Sequence, residues 1–152
     1  MTIEISAIQL KVIFDLAVSV YPEECCGILL GKLEPEQKIL IEVIPTINEW
    51  EAVETQEKHR TKNTRFTIPA KEIFLAQKRG RDLGLEIIGF FHSHPDYPAI
   101  PSECDRLQAW EIYSYPIISV IQGHAIDIQS WVLDSHLVFQ PEVIKLTSCT
   151  NT

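Results

Sequence analysis

The stretch from Leu85 to His94 constrains the fold of this 152-residue chain more than any other. Its apolar, aromatic run Ile87-Ile-Gly-Phe-Phe91 is too short for a typical helix and is interrupted by Gly89. It therefore reads as an interior strand, and it ends at Pro95, which has no N–H to give to a ladder. The geometry of a strand end then decides what its last residues can do. Side chains two residues apart share a face, with Cα atoms roughly 7 Å apart, so the imidazoles of His92 and His94 can reach a single ion.

The rest of the chain supplies elements around that strand. Leu10, Ile13, Phe14, Ala17 and Val18 repeat at the spacing of one buried helix face, and Pro22 lies just beyond, where a helix cannot continue. Cys26-Gly-Ile-Leu-Leu-Gly31 is a short apolar run expected to form a buried strand with Glu24 at its entry. The polar turn Glu34 to Gln37 leads to a second strand over Lys38 to Ile47, antiparallel to the first. From Asn48 to Arg65 the sequence is polar and charged, which predicts a long loop that either faces a substrate or is plain solvated surface.

Pro69, the apolar spacing of Ile73, Ala76 and Leu83, and Gly84 outline a second helix. Beyond the Pro-rich loop, Ser102 opens a third helix expected to run through Trp110. Pro116 to Ile121, Ala125 to Leu133 and Leu137 to Leu146 read as closing strands. Strands and helices mix without a regular βαβ repeat, so the expected class is α+β, a curved and mainly antiparallel sheet flanked by helices. Residues 1–152 are expected to form one domain, since a chain of this length buries about 70% of its unfolded surface in one core.

Composition narrows the function. With 45% hydrophobic and 22% charged residues the chain lies far from the disordered regime. A net charge of -8 counts against a phosphate backbone as partner, because nucleic-acid binding depends on clustered Lys and Arg. Cys25, Cys26, Cys104 and Cys149 make no C-x-x-C pair and read as reduced thiols. No basic leader or membrane-length apolar run is present, so a cytoplasmic protein without membrane contact is expected.

The chemistry gathers after the strand end. The loop Asp96-Tyr-Pro-Ala-Ile-Pro101 turns the chain so that the next helix brings its first turn back, which makes Asp105, eleven residues after His94, the candidate third ligand. Two imidazoles and a carboxylate suit a catalytic zinc site, which keeps one position for water, better than a closed structural site. Such a site implies hydrolysis: zinc lowers the pKa of bound water to about 7, and a base must still take its proton. Glu24 is the candidate base, with its neighbour Glu23 competing.

Each piece has a duller explanation. Ser102-x-x-Asp105 is also a capping box, and His-x-His alone is often a polar strand end. The combination is what is improbable by chance. His59, His124 and His136 have no partner at ligand spacing and read as structural or solvent-facing. Cys25 and Cys26 read as one core thiol and one packed on the opposite face, and Cys104 as helix surface. Packing accounts for Trp110 and Trp131, whereas Trp50, an aromatic in a polar loop, can cover a site.

The stretch His92-Ser-His-Pro-Asp-Tyr-Pro-Ala-Ile-Pro-Ser-Glu-Cys-Asp105 resembles the signature of the JAMM, or MPN-plus, zinc metalloproteases of the JAB domain class. Upstream, Tyr21-Pro-Glu-Glu-Cys-Cys-Gly-Ile-Leu-Leu-Gly31 is similar to the segment around that family's acidic base, where the second acid after Pro is the functional one, which favours Glu24. The resemblance extends from the first helix through Trp131 and implies a single MPN-like domain. It implies His92, His94 and Asp105 on zinc, Glu24 accepting the water's proton, and Ser102 donating toward the oxyanion.

It also implies a substrate. Members cleave peptide or isopeptide bonds after the tail of ubiquitin or ubiquitin-like proteins, and the small bacterial ones resemble peptidases of sulfur-carrier proteins. With few residues between Asp105 and the closing strands, this chain resembles the latter, and a ubiquitin-like carrier protein is the expected partner, with a homodimer allowed. Its tail is expected to add as a strand at a sheet edge, glycines fitting a narrow channel. The competing readings are a catalytically silent MPN scaffold that binds partner proteins and a DNA-associated role. Silent relatives usually lack ligands that are present here, and the acidic balance disfavours DNA.

Overall fold

The computed structural model describes residues 1–50 and 61–148. Strict alternation opens the chain: in β1 (Thr2–Ser6) Ile3 and Ile5 are fully buried between polar neighbours. Ser6 ends the strand by capping α1 (Ala7–Ser19). Its Oγ accepts from the N–H of Gln9, and the Gln9 side chain accepts from the N–H of Ser6. The other end of that amide donates to the carbonyls of Leu40 and Ile41, which fastens α1 to β3 (Gln37–Thr46). β1 was not among the sequence expectations, although its two-residue period is visible in Thr2-Ile-Glu-Ile-Ser6.

The remaining elements follow the expected order. β2 (Cys26–Leu33) pairs antiparallel with β3, α2 (Ala70–Leu83) follows Pro69, and β4 (Glu86–Pro95) carries the histidines. α2 stops at Gly84, whose φ of 69° is a left-handed C-cap that a side chain would strain. α3 is short: it spans Glu103–Leu107 and does not reach Trp110 as expected. Trp110 lies beyond it and is 69% exposed, so packing does not account for it. β5 (Tyr115–Ile121), β6 (His124–Leu133) and β7 (Phe139–Thr147) complete the chain.

The sheet is curved, as expected, and its curvature goes as far as closure, in the order β1-β3-β2-β4-β5-β6-β7. Four neighbouring pairs are antiparallel, β2 with β3 and β4, and β6 with β5 and β7. Three are parallel: β1 with β3, β1 with β7, and β4 with β5. β1 is the closing strand, running from Thr2 opposite Val143 to Ser6 opposite Thr147. Closure removes most of the edge along which an added strand could lie; among the described residues, Glu42 to Thr46 of β3 pair with β2 alone.

β2 and β4 are buried on both faces. Leu29 packs inward with Ile3, Ile5, Ile13, Phe91 and Ile118, while Ile28 and Leu30 pack against Ala76 of α2. α1 touches β1, β3, β5 and β6, and α2 touches β2 and β4. Gly89 is required by the approach of β4 to the residue before β5, since a Cβ there would lie 2.3 Å from the carbonyl oxygen of Ser114. One polar group is sealed inside: the Lys38 ammonium donates to Ser114 Oγ at 2.8 Å and lies 3.5 Å from the Glu142 carboxylate, which accepts from Ser130 Oγ at 2.8 Å. No helix among the described residues is long and apolar enough to cross a membrane.

Candidate metal centre

The last turn of pleat in β4 turns His92 and His94 to one face and Ser93 to the other. All three are buried. Ser93 Oγ accepts from the N–H of Cys25 at 2.7 Å, and the N–H of Ser93 donates to the Cys25 carbonyl at 3.1 Å. These bonds hold Glu24, one residue upstream and only 5% exposed, beside the histidines. The two ends of the long loop fix the same residue. The N–H of Glu24 donates to the Lys62 carbonyl at 2.7 Å, and the Asn48 amide donates to the carbonyls of Glu24 at 3.3 Å and Arg65 at 2.9 Å.

After Pro95 the chain turns through Asp96, whose φ of 60° is left-handed. Its carboxylate accepts from the N–H of Gln122 and the hydroxyl of Tyr21, which hold it below the usual carboxylate range in that order of strength. Ser119 Oγ donates to the Tyr97 carbonyl, and the Trp131 indole N–H donates to that of Ala99 at 3.0 Å. The fastened loop delivers Ser102 as the N-cap of α3. Ser102 Oγ accepts from the N–H of Asp105, and Asp105 Oδ2 accepts from the N–H of Ser102 at 2.8 Å. The capping box is therefore real, and it orients the very oxygen that faces the histidines.

Asp105 Oδ2 lies 3.2 Å from Nε2 of His92 and 3.2 Å from Nε2 of His94, and the two nitrogens are 3.1 Å apart. A tetrahedral ion with bonds of about 2.1 Å has ligand–ligand edges of about 3.4 Å, so this triangle has the size of one face of a zinc polyhedron. The donor chemistry agrees. Nδ1 of His94 lies 2.9 Å from the Pro98 carbonyl and must be the protonated nitrogen, because a carbonyl can only accept. Its Nε2 then presents a lone pair toward a carboxylate oxygen, an arrangement that a cation stabilises. His92 stacks on Phe66 with centroids 4.4 Å apart, and its buried Nδ1 has no partner among the described residues.

A second carboxylate stands farther back. Glu24 Oε1 is 4.0 Å from Nε2 of His94, and the ligand atoms of Glu24, His92 and His94 lie within 4.8 Å of one another. The two acids differ in charge state as well as distance. Burial, and then the charge of Asp105, push the Glu24 carboxyl up to about 9, against the opposing charge of Arg65. Burial pushes Asp105 up too, but the charge and hydrogen bond of His92 and the N–H of Ser102 hold it well below the usual carboxylate range. Burial lowers the His92 imidazole below its ordinary value. Environments that drive two carboxyls apart separate an anionic ligand from a proton carrier.

Two cavities meet at this cluster. One of about 200 Å³ has His92 and Asp105 in a wall that is otherwise largely aromatic. The other, of about 380 Å³, is lined by Glu24, His94, Ser102, Asn63, Arg65 and Tyr97. All five residues singled out from the sequence, Glu24, His92, His94, Ser102 and Asp105, thus converge. The returning arm of the loop faces Glu24, while its residues 51–60 lie outside the described part.

Sequence reasoning passed over Ser93, Asn48, Phe66 and the Pro98 carbonyl. Only Ser93 carried a signal, being the middle of His-x-His. His124 and His136 are exposed, and His59 and Cys149 lie outside the described residues. Cys25 and Cys26 are both buried, their thiols pushed up by burial to about 12 and about 11. Trp50 is buried, 9% exposed, instead of covering a site from the surface.

Comparison with known proteins identifies the family and the fold. Residues 6–134 match the family of prokaryotic homologs of the JAB domain. A solution structure from Desulfitobacterium hafniense is 26% identical, with a TM-score of 0.79 over 97% of this chain and 94% of that one. A second, from Salinibacter ruber, is 25% identical, with a TM-score of 0.66 over 93% and 90%. The crystal structure of a JAB1/MPN domain protein from Archaeoglobus fulgidus shares the fold at 18% identity, with a TM-score of 0.55 over 97% and 96%. No curated protein matches the chain.

Proposed function

Because the chain belongs to the family of prokaryotic homologs of the JAB domain, which includes metalloisopeptidases, we propose that it is a zinc-dependent peptidase. Its substrate is the C-terminal tail of a ubiquitin-like protein of the sulfur-carrier kind, cut at a peptide or isopeptide bond. The observation that carries this reading is the triangle of His92 Nε2, His94 Nε2 and Asp105 Oδ2, with Glu24 standing just outside it. His92, His94 and Asp105 would hold the ion. Bound there, zinc would supply Lewis acidity toward a water and a substrate carbonyl.

The protein's own groups do the rest. The Glu24 carboxylate takes a proton from the attacking water and delivers it to the leaving nitrogen as the C–N bond breaks. The high proton affinity that burial gives it suits the first transfer, and the positive charge of a bound ion would offset that burial so that the carboxyl rests ionised and can pass the proton on. Ser102 Oγ accepts from the N–H of Asp105, so its own hydrogen is free to turn toward the carbonyl oxygen as charge builds there. The net charge of -8 supports a protein substrate over a nucleic acid.

The test is metal content together with cleavage of ubiquitin-like carrier fusions. One equivalent of zinc and chelator-sensitive cleavage are expected. Glu24→Gln should keep the metal and lose activity by about 10²–10⁴-fold, and Ser102→Ala by about 10²–10³-fold in kcat. Full activity in Glu24→Gln removes the base. Absence of both metal and cleavage leaves a silent scaffold that docks partners.

A further inference from the structure

The aromatic cavity beside His92 and Asp105 is larger and more apolar than a glycine tail needs. Phe66, Phe90, Trp110, Tyr115 and Phe139 line it, and Ile117, fully buried, adds a branched surface. The rings brace one another: Phe90 stacks with Tyr115 at 6.3 Å between centroids, and Tyr115 meets Phe139 edge-on at 5.8 Å. Two polar groups of the wall are already engaged. The Tyr115 hydroxyl accepts from the N–H of Trp110 at 2.7 Å, and Asp105 Oδ2 is taken by Ser102 and the histidines.

We infer that this cavity is a specificity pocket for a bulky apolar side chain, of phenyl to indole size, on a residue flanking the bond that is cut. The inference rests on the peptidase reading and names its substrate more closely. Three observations carry it. His92 and Asp105 belong both to the cavity wall and to the ligand triangle, so an occupant of the cavity lies within one residue of a carbonyl bound at the ion. The volume of about 200 Å³ fits, since a dry apolar cavity of about 150 Å³ holds a benzene ring. Finally, the Trp110 indole is 69% exposed at this cavity, and an inserted ring would cover it.

The cavity on the Glu24 side offers different chemistry. Asn63, Thr64, Arg65 and Tyr97 line it together with Ser102. The two sides of a bound peptide are therefore read differently: one by aromatic faces, the other by polar groups. A tail with small residues on both sides of the cut would leave the aromatic pocket empty.

Two measurements test this. The first titrates the metal-free protein with N-acetyl-phenylalaninamide, N-acetyl-tryptophanamide and N-acetyl-glycinamide, followed by NMR at the Trp110 indole and the Phe90 and Tyr115 rings. The aromatic probes should shift these signals and bind about tenfold or more tightly than the glycine probe. The second measures kcat/KM of the zinc-loaded protein on ubiquitin-like carrier fusions with Gly, Leu, Phe or Trp on either side of the scissile bond. At one of those positions Phe or Trp should exceed Gly by about tenfold or more.

Trp110→Ala, at an exposed rim position, and Thr67→Trp, which crowds the mouth, should each remove most of that ratio while Tm stays near that of the parent. Equal rates at both positions together with unmoved Trp110 signals overturn the pocket. Probe binding without cleavage of any fusion upholds the pocket and overturns the peptidase reading. Cleavage without side-chain preference does the reverse.

Discussion

Glu24 shows how much a single residue's role depends on its surroundings. Free in solution its carboxyl titrates near 4.5, and in the fold near 9. Between those values the unfolded chain gives up a proton that the folded chain keeps, so this group makes the metal-free protein less stable as pH rises. The slope is at most about 1.4 kcal/mol per pH unit. His92, whose folded value is lowered, acts oppositely below its ordinary value of 6.5, and Cys25 and Cys26 reinforce the loss toward pH 9. The clean window is therefore pH 7 to about 8.5. Urea unfolding of chelator-treated protein should show stability falling across it, and Glu24→Gln should flatten most of that fall. An unchanged slope in Glu24→Gln would place the carboxyl in water, outside the buried cluster.

At the scale of elements, β4 does more than present two imidazoles. Ser93 ties it to the segment leading into β2, so the strand that carries His92 and His94 also holds Glu24 in place. Ser93→Ala strands the buried N–H of Cys25, a loss of about 1–3 kcal/mol in unfolding free energy by denaturant titration. Because Glu24 adjoins that N–H, kcat should fall more than zinc affinity does. A drop in zinc affinity alone would show that Ser93 acts through the histidines. Much of β4 was legible in advance: an apolar run too short for a helix, Gly89, and Pro95 as terminator. Ser102-x-x-Asp105 was legible as a cap and as a turn that brings a carboxylate to the histidines, and one carboxylate oxygen both closes the cap and faces them. The end of α3 was not legible, since nothing local distinguishes a helix stopping at Leu107 from one continuing to Trp110.

For the whole molecule, the defining event is closure of the barrel by β1. It sets the sealed group of Lys38, Glu142, Ser114 and Ser130, which joins β3, β6, β7 and the residue before β5. Removing one member of a buried ion pair leaves an uncompensated charge, so Lys38→Met should destabilise by about 3–5 kcal/mol. The double change Lys38→Met with Glu142→Leu should recover most of that. Thermal unfolding of the three variants gives the comparison, and a double variant no better than the single one would mean that the ammonium acts through Ser114 alone.

Local order along the chain was sufficient for most of the elements and for singling out the residues that cluster at the candidate site. Period-two and helical spacings, Pro and Gly as punctuation, and the distance from His92 to Asp105 depend only on residues close in sequence, where backbone geometry is nearly deterministic. Ring closure, the burial that raises Glu24, and the aromatic pocket required the tertiary structure. Each arises from residues far apart in the chain, such as Thr2 against Val143 or Phe66 against His92, whose meeting is decided by packing.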